Sequence, residues 1–212
     1  KVVLAKQRNI NPNQILLGNG SDEVLDLIFR AFCEPKIDNI ISLPPTYGMY
    51  SVLANINAVE NREVLLSNDF QPQVEKILDT VDENTKIIFL CSPNNPTANS
   101  FSTESVVKLL ENFKGLIVID EAYIDFSDKE SWLAKIDEYP NLIITQTLSK
   151  AYGLAGIRLG ICYGSAAVIS VLNKIKPPYN VNELTQLRAL ERLSNPEKIK
   201  SEINSIIAQR EE

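Results

Sequence analysis

Histidine is absent from all 212 residues, and with it the imidazole donor on which most zinc and haem sites depend. Cysteine is scarce: Cys33, Cys91 and Cys162 have no paired spacing, and thiols in or beside apolar runs are ordinarily small core residues. No apolar stretch reaches the roughly 18 residues a membrane span needs, no charged-apolar-small leader opens the chain, and neither repeats nor low-complexity tracts occur. Positive charge is also in deficit. Lys plus Arg number 21 against 27 Asp plus Glu, a formal net charge of -6, which argues against a general nucleic-acid or anionic-membrane surface and requires any phosphate site to be built locally. The expectation is a protein of the reducing cytoplasm with no nucleic-acid or membrane partner.

What the sequence does contain is enough apolar material, 44% against 23% charged, to bury a core as one large domain or one and a part. Short apolar runs alternate with helical patterns: "QILLGNG", a helix from about Asp22 to Cys33, "NIISLPP", "REVLLS", "TKIIFLCSP", "GLIVIDEAY", "NLIITQTLS" and "LGICYGS". Several runs are apolar on both faces, as strands covered on both sides are. The pattern predicts an α/β fold of three layers, a largely parallel central sheet with helices on both faces. Residues 1–176 form the main domain in this reading. The segment "IKPPYNVN" is where the chain can leave it, and residues 177–212 end that domain and begin a helix leading onward. In that stretch Ile199, Ile203, Ile206 and Ile207 share a helical face that needs a neighbour. Both ends read as cuts in a longer protein.

Chemistry in such a sheet gathers where strands deliver their carboxyl ends, and the unusual polar residues fall there. Gly18, Gly20 and Ser21 turn "ILL" into a helix, which offers amides to a phosphate; Ser21 as an ordinary N-cap, with Asp22 and Glu23 complementing the dipole, is the plainer alternative. The turn lacks the GK[ST] ending of a nucleotide P-loop. "CSPNNPT" after "KIIFL" is a rigid turn with outward amides, or simply a turn. Asp120 follows four apolar residues and must be capped, paired or assigned to a cationic ligand, with Tyr123 three residues on. Lys150 lies just past "NLIIT", where a buried ammonium is costly; it either reaches solvent or does chemistry.

Taken in order, "GNGSDE", "SPNNPT", "DEAY" and "SKAYGLAGIRLG" resemble the large domain of the fold-type I, pyridoxal-phosphate-dependent aminotransferases, most closely the histidinol-phosphate aminotransferase branch. The resemblance covers most of the chain, from the glycine turn to "IKPPYNVN". It implies Lys150 as the Schiff-base lysine and proton carrier, and Asp120 as the partner of the cofactor's pyridine nitrogen. It further implies Asn95 and Tyr123 at the phenolic oxygen and Tyr47, in "PPTYGMY", stacked on the ring. Ser21 and Asp22 would bind the phosphate through backbone amides, joined by Thr147, Ser149 and Arg158. Asp22 is expected to turn its carboxylate away or to cap the helix. The implied partners are an amino donor, a 2-oxo acid acceptor and a second copy of the chain in a homodimer. The implied reaction moves an amino group between L-histidinol phosphate and 2-oxoglutarate; a threonine-phosphate decarboxylase-like enzyme and a non-catalytic binding module are the alternatives. One departure stands out: Ala98 follows Pro96-Thr97 where the motif has glycine, and a positive φ there costs alanine on the order of a kcal/mol.

Overall fold

A computed structural model describes residues 1–210 of the chain, so the last two residues of the expected 177–212 segment lie outside the described residues. Its strands are β1 (Ile15–Gly18), β2 (Asn39–Ser42), β3 (Glu60–Glu63), β4 (Thr85–Cys91), β5 (Leu116–Asp120), β6 (Leu142–Thr147) and β7 (Gly160–Gly164). They form one sheet in the order β1-β7-β6-β5-β4-β2-β3. Pairing is parallel from β3 through β6, and β7 runs antiparallel to both neighbours. The reversal has a local cause. The turns of residues 148–159 that join β6 to β7 contain no α-helix to carry the chain back along the sheet, as a parallel connection ordinarily requires.

Side chains alternate across the pleat, and the two faces carry separate cores. Ile88, Leu90, Ile117, Ile119, Leu142, Ile144 and Ile161 pack with α1 (Val2–Arg8), α4 (Val74–Thr80), α5 (Thr103–Asn112) and α7 (Glu183–Leu193). Ile87, Phe89, Val118, Ile143 and Cys162 pack with α2 (Ser21–Phe32), α3 (Met49–Ile56) and α6 (Ala166–Ile175). The three-layer expectation therefore holds. All three cysteines are buried and free.

Three details differ from the sequence reading. The strand expected at "REVLLS" is β3, Glu60–Glu63. Val64 and Leu66 follow it as extended chain whose amides donate to the Ser42 and Pro44 carbonyls, so the apolar residues are buried just past the paired segment. Ser21 is not a cap. It is the first residue of α2, whose N-cap is Gly20 at φ 90° with no side-chain cap bond, so the first-turn amides are left for another acceptor. Finally, α8 (Pro196–Arg210) already has a neighbour for part of its apolar face: Ile199 is buried, and the helix packs against the short turn Ile124–Phe126. No helix among the described residues is long and apolar enough to cross a membrane.

Candidate active site

Because β4, β5 and β6 run parallel, their carboxyl ends open on one rim, and the antiparallel β7 begins on that rim too. Gly160 pairs with Gly18 of β1 and with Thr147 of β6. This brings the glycine turn, the Ser149-Lys150 turn and Arg158 to one corner. The resulting cavity, about 550 Å³ with its mouth, is lined by all ten site residues expected from the sequence, together with Cys91 and Ala122.

The cavity draws Ser21, Asp22 and Arg158 together. The uncapped start of α2 carries its partial positive charge, and Arg158, in left-handed backbone conformation (φ 55°), stands beside it. The approach is tight enough to exclude side chains: a Cβ on Gly160 would lie 2.3 Å from the Gly20 carbonyl carbon and 2.4 Å from the Ser21 nitrogen, and one on Gly20 would lie 2.5 Å from Arg158 Nη2. Thr147 adds a hydroxyl that accepts the Ser149 amide at 3.1 Å and lies 2.9 Å from the Ser149 hydroxyl. Asp22 departs from expectation. Its carboxylate neither caps α2 nor turns away, but accepts the Tyr47 hydroxyl at 3.0 Å and lies 3.9 Å from Arg158. Burial, then Asp22, hold the Tyr47 phenol well above its ordinary range.

Asp120, only 3% exposed, lines the same cavity. Its Oδ1 accepts the Ala122 amide at 3.1 Å and its Oδ2 accepts the Tyr50 hydroxyl at 3.1 Å. Burial pushes the Asp120 carboxyl up, while the hydrogen bonds from Tyr50 and Ala122 pull it back. Cys91, paired with Asp120 across the sheet, has its thiol pushed up to about 12 by burial and that carboxylate, so it is an uncharged wall.

Lys150 lines the cavity as well. The residue is exposed, and its ammonium lies 5.3 Å from the centroid of the Tyr123 ring, so solvent and a π face relieve the awkwardness of a strand-end lysine. The turn that carries it is clamped by distant helices: Arg8 of α1 donates to the Tyr152 hydroxyl at 3.1 Å and Arg192 of α7 to the Tyr152 carbonyl at 3.0 Å.

The two asparagines of "SPNNPT" have separate duties. Asn94 is buried and spends its amide inside the fold, accepting from Thr46 and donating to the Pro45 carbonyl and Thr97 hydroxyl; Asn95 faces the cavity. Ala98 has φ 63°, the glycine-favouring conformation, and is fixed by its amide bond to the Asn94 carbonyl. Ala98→Gly should therefore relieve strain and stabilise the protein by up to about 1 kcal/mol, read as a raised urea midpoint at unchanged slope.

A donor set of this kind can take an anionic group at the α2 corner, a hydrogen-donating or cationic group at Asp120 and an electrophile at Lys150. The profile described as aminotransferase class I and II matches residues 4–212. The chain belongs to this family. Histidinol-phosphate aminotransferase from Flavobacterium johnsoniae is 83% identical over 212 residues, which are 100% of this chain and 61% of that relative. The enzyme of the same name from Flavobacterium psychrophilum is 70% identical over 193 residues, 91% of this chain and 56% of the relative. Among solved structures, histidinol-phosphate aminotransferase from Sinorhizobium meliloti in complex with pyridoxal-5'-phosphate superposes with a TM-score of 0.91 at 25% identity, over 99% of this chain and 58% of that one. This aminotransferase-family chain thus spans about three fifths of the relatives it matches.

Sequence reasoning missed Tyr50. The signal was present: in "YGMY" two tyrosines stand three apart at a helix start, a spacing that puts them on one face, and their rings meet edge to face at 5.7 Å.

Proposed function

We propose that this chain carries the cofactor-binding part of a pyridoxal-phosphate-dependent histidinol-phosphate aminotransferase, which moves an amino group between L-histidinol phosphate and 2-oxoglutarate. The observation that carries the reading is the convergence of Lys150, Asp120 and Arg158 on one cavity between an uncapped helix start and a buried carboxylate. The substrate assignment rests on relatives up to 83% identical that bear that name. A homodimer in the cytoplasm is part of the same proposal, in keeping with three free thiols.

Pyridoxal phosphate, when bound, supplies an electron-withdrawing ring that accepts negative charge from the substrate carbon. The α2 amides at Ser21 and Asp22, with Thr147, Ser149 and Arg158, would hold its phosphate. Tyr47 would cover one ring face, its hydroxyl fixed by Asp22. Asn95 and Tyr123 would donate to the phenolic oxygen, and Asp120 would keep the ring nitrogen protonated. The amine of Lys150 would carry the proton between the substrate carbon and the cofactor carbon. Arg8 and Arg192, bonded to Tyr152, hold the turn from which that amine would reach the reacting atoms.

Titration of the cofactor-free protein with pyridoxal phosphate should produce a visible band that borohydride bleaches, with the reduced adduct on Lys150 by peptide mass spectrometry. An adduct on another lysine, or no band, overturns the reading. The substrate assignment is tested by glutamate-dependent formation of L-histidinol phosphate from imidazole acetol phosphate. Arg158→Ala should weaken cofactor affinity by roughly 10- to 100-fold, the value of a charge-assisted contact of about 1.5 to 3 kcal/mol. An unchanged dissociation constant would remove Arg158 from the phosphate site.

A further inference from the structure

Tyr50 is fully buried, stacked on Phe89 at 4.8 Å with the rings inclined by 13°, and met edge-on by Tyr47. Such surroundings call for phenylalanine; a hydroxyl there is unfavourable unless it finds a partner. It has one: Asp120 Oδ2, at 3.1 Å. Packing on both sides leaves the ring no alternative position, so the hydroxyl is aimed at the carboxylate by the core itself.

We propose that Tyr50 is a positioning residue for this reaction: it holds the Asp120 carboxylate as a charged acceptor aimed into the cavity, so that a shared proton rests on the ring nitrogen opposite and not on Asp120. The inference builds on the cofactor reading above and extends it to a residue that touches neither cofactor nor substrate.

The argument turns on where one proton sits. A carboxylate facing a pyridine nitrogen competes with it for a single proton, and the ring draws electrons only when it holds that proton. Every donor to the carboxylate makes it the weaker base. Asp120 forms no ion pair with any lysine or arginine among the described residues, so hydrogen bonds must do this. The groups facing it are Ala122 on its own element, Thr145 from β6, Tyr50 from α3 and the neutral Cys91 from β4. Asp22, Tyr47, Tyr123 and Lys150 share its cavity. Burial and the like charge of Asp22 both drive a proton onto Asp120, and Tyr50 is the first of the hydrogen bonds that oppose them.

Tyr50→Phe keeps the ring, and with it the packing, while deleting the donor. In the cofactor-free protein, with aspartate labelled at the side-chain carboxyl with 13C and Asp120 assigned by its absence in Asp120→Asn, its titration midpoint should rise by about one pH unit. In protein loaded with pyridoxal phosphate labelled with 15N, the ring nitrogen should move toward its unprotonated shift. kcat should fall about tenfold with the KM of the amino donor little changed, the pattern of a loss felt as charge develops. In an Asp120→Asn background the same substitution should change nothing further. Equal Asp120 midpoints, or a kcat loss that persists undiminished in the Asp120→Asn background, would overturn the role of Tyr50. If wild type takes no label at Lys150, the cofactor reading falls and this proposal with it. A wild type that is labelled beside a Tyr50→Phe variant indistinguishable from it sinks the Tyr50 role alone.

Discussion

Lys150→Ala in the intact protein should still bind pyridoxal phosphate, reversibly, but retain none after borohydride, and its transamination rate should drop by at least about three orders of magnitude. The binding end of the cavity does not involve the lysine: the α2 amides, Arg158, Thr147 and Ser149 stand without it. Its ammonium forms no ion pair among the described residues, so its loss leaves no buried charge uncompensated, and stability should change by less than about 0.5 kcal/mol, as for exposed sites. Chemistry is another matter, because no second lysine lines the cavity to take its place. Single-turnover mixing of the loaded variant with amino donor, followed by absorbance, checks this. Multiple turnover near the wild-type rate would remove Lys150 from the centre of the mechanism.

Gly160→Ala is the second large effect, and its cause is steric. The added methyl would meet the Gly20 carbonyl carbon at 2.3 Å and its oxygen and the Ser21 nitrogen at 2.4 Å, all backbone atoms that no rotamer change can move. Gly160 is held by ladder pairing on both sides, to Gly18 and to Thr147. Either β7 leaves β1, or the start of α2 is pushed off the cavity. We expect a loss of about 2 to 3 kcal/mol in urea unfolding, with cofactor affinity lowered at least tenfold. Pyridoxal without its phosphate should be affected far less. Gly156→Ala, where a Cβ meets nothing within 4 Å, is the matched control and should leave the cofactor's dissociation constant unchanged. Wild-type stability and affinity in Gly160→Ala would contradict the close approach described.

The parts of this molecule that the sequence disclosed are those where one residue's surroundings follow from its neighbours in the chain. Apolar runs on both faces announced β4, β5 and β6; a carboxylate after "LIVI" announced a buried Asp120. The hidden parts depend on what comes across from elsewhere. Tyr50 reads as a core aromatic until α3 is laid on the sheet and its hydroxyl meets β5, 70 residues away. Asp22 reads as a helix-start acid, since only the fold supplies Tyr47 as its donor. The β3 strand was displaced in the reading because it is an edge strand with only partial burial, so its apolar signal comes from Val64 and Leu66 just beyond. Ala98 was the opposite case. A single departure from a motif raised the question of a positive φ at this position, and the backbone has one.

The antiparallel insertion of β7 between β1 and β6 also dictates a timetable. Ile15 pairs with Tyr163, 148 positions along the chain (163 minus 15), so the edge strand and the glycine turn are synthesised early but cannot be seated until nearly the whole sheet has emerged. Contacts of such separation slow folding, and growth from the N-terminus makes the delay unavoidable. Until β7 arrives, the anion corner does not exist: Gly20 and Ser21 lack Arg158 and Gly160 beside them. Phosphate-bearing ligand therefore has no grip on a ribosome-bound chain that stops short of residue 160, and mass action by the ligand protects only molecules that have finished folding. Ligand bound there would add stability only to chains in which β1 and β7 have already paired.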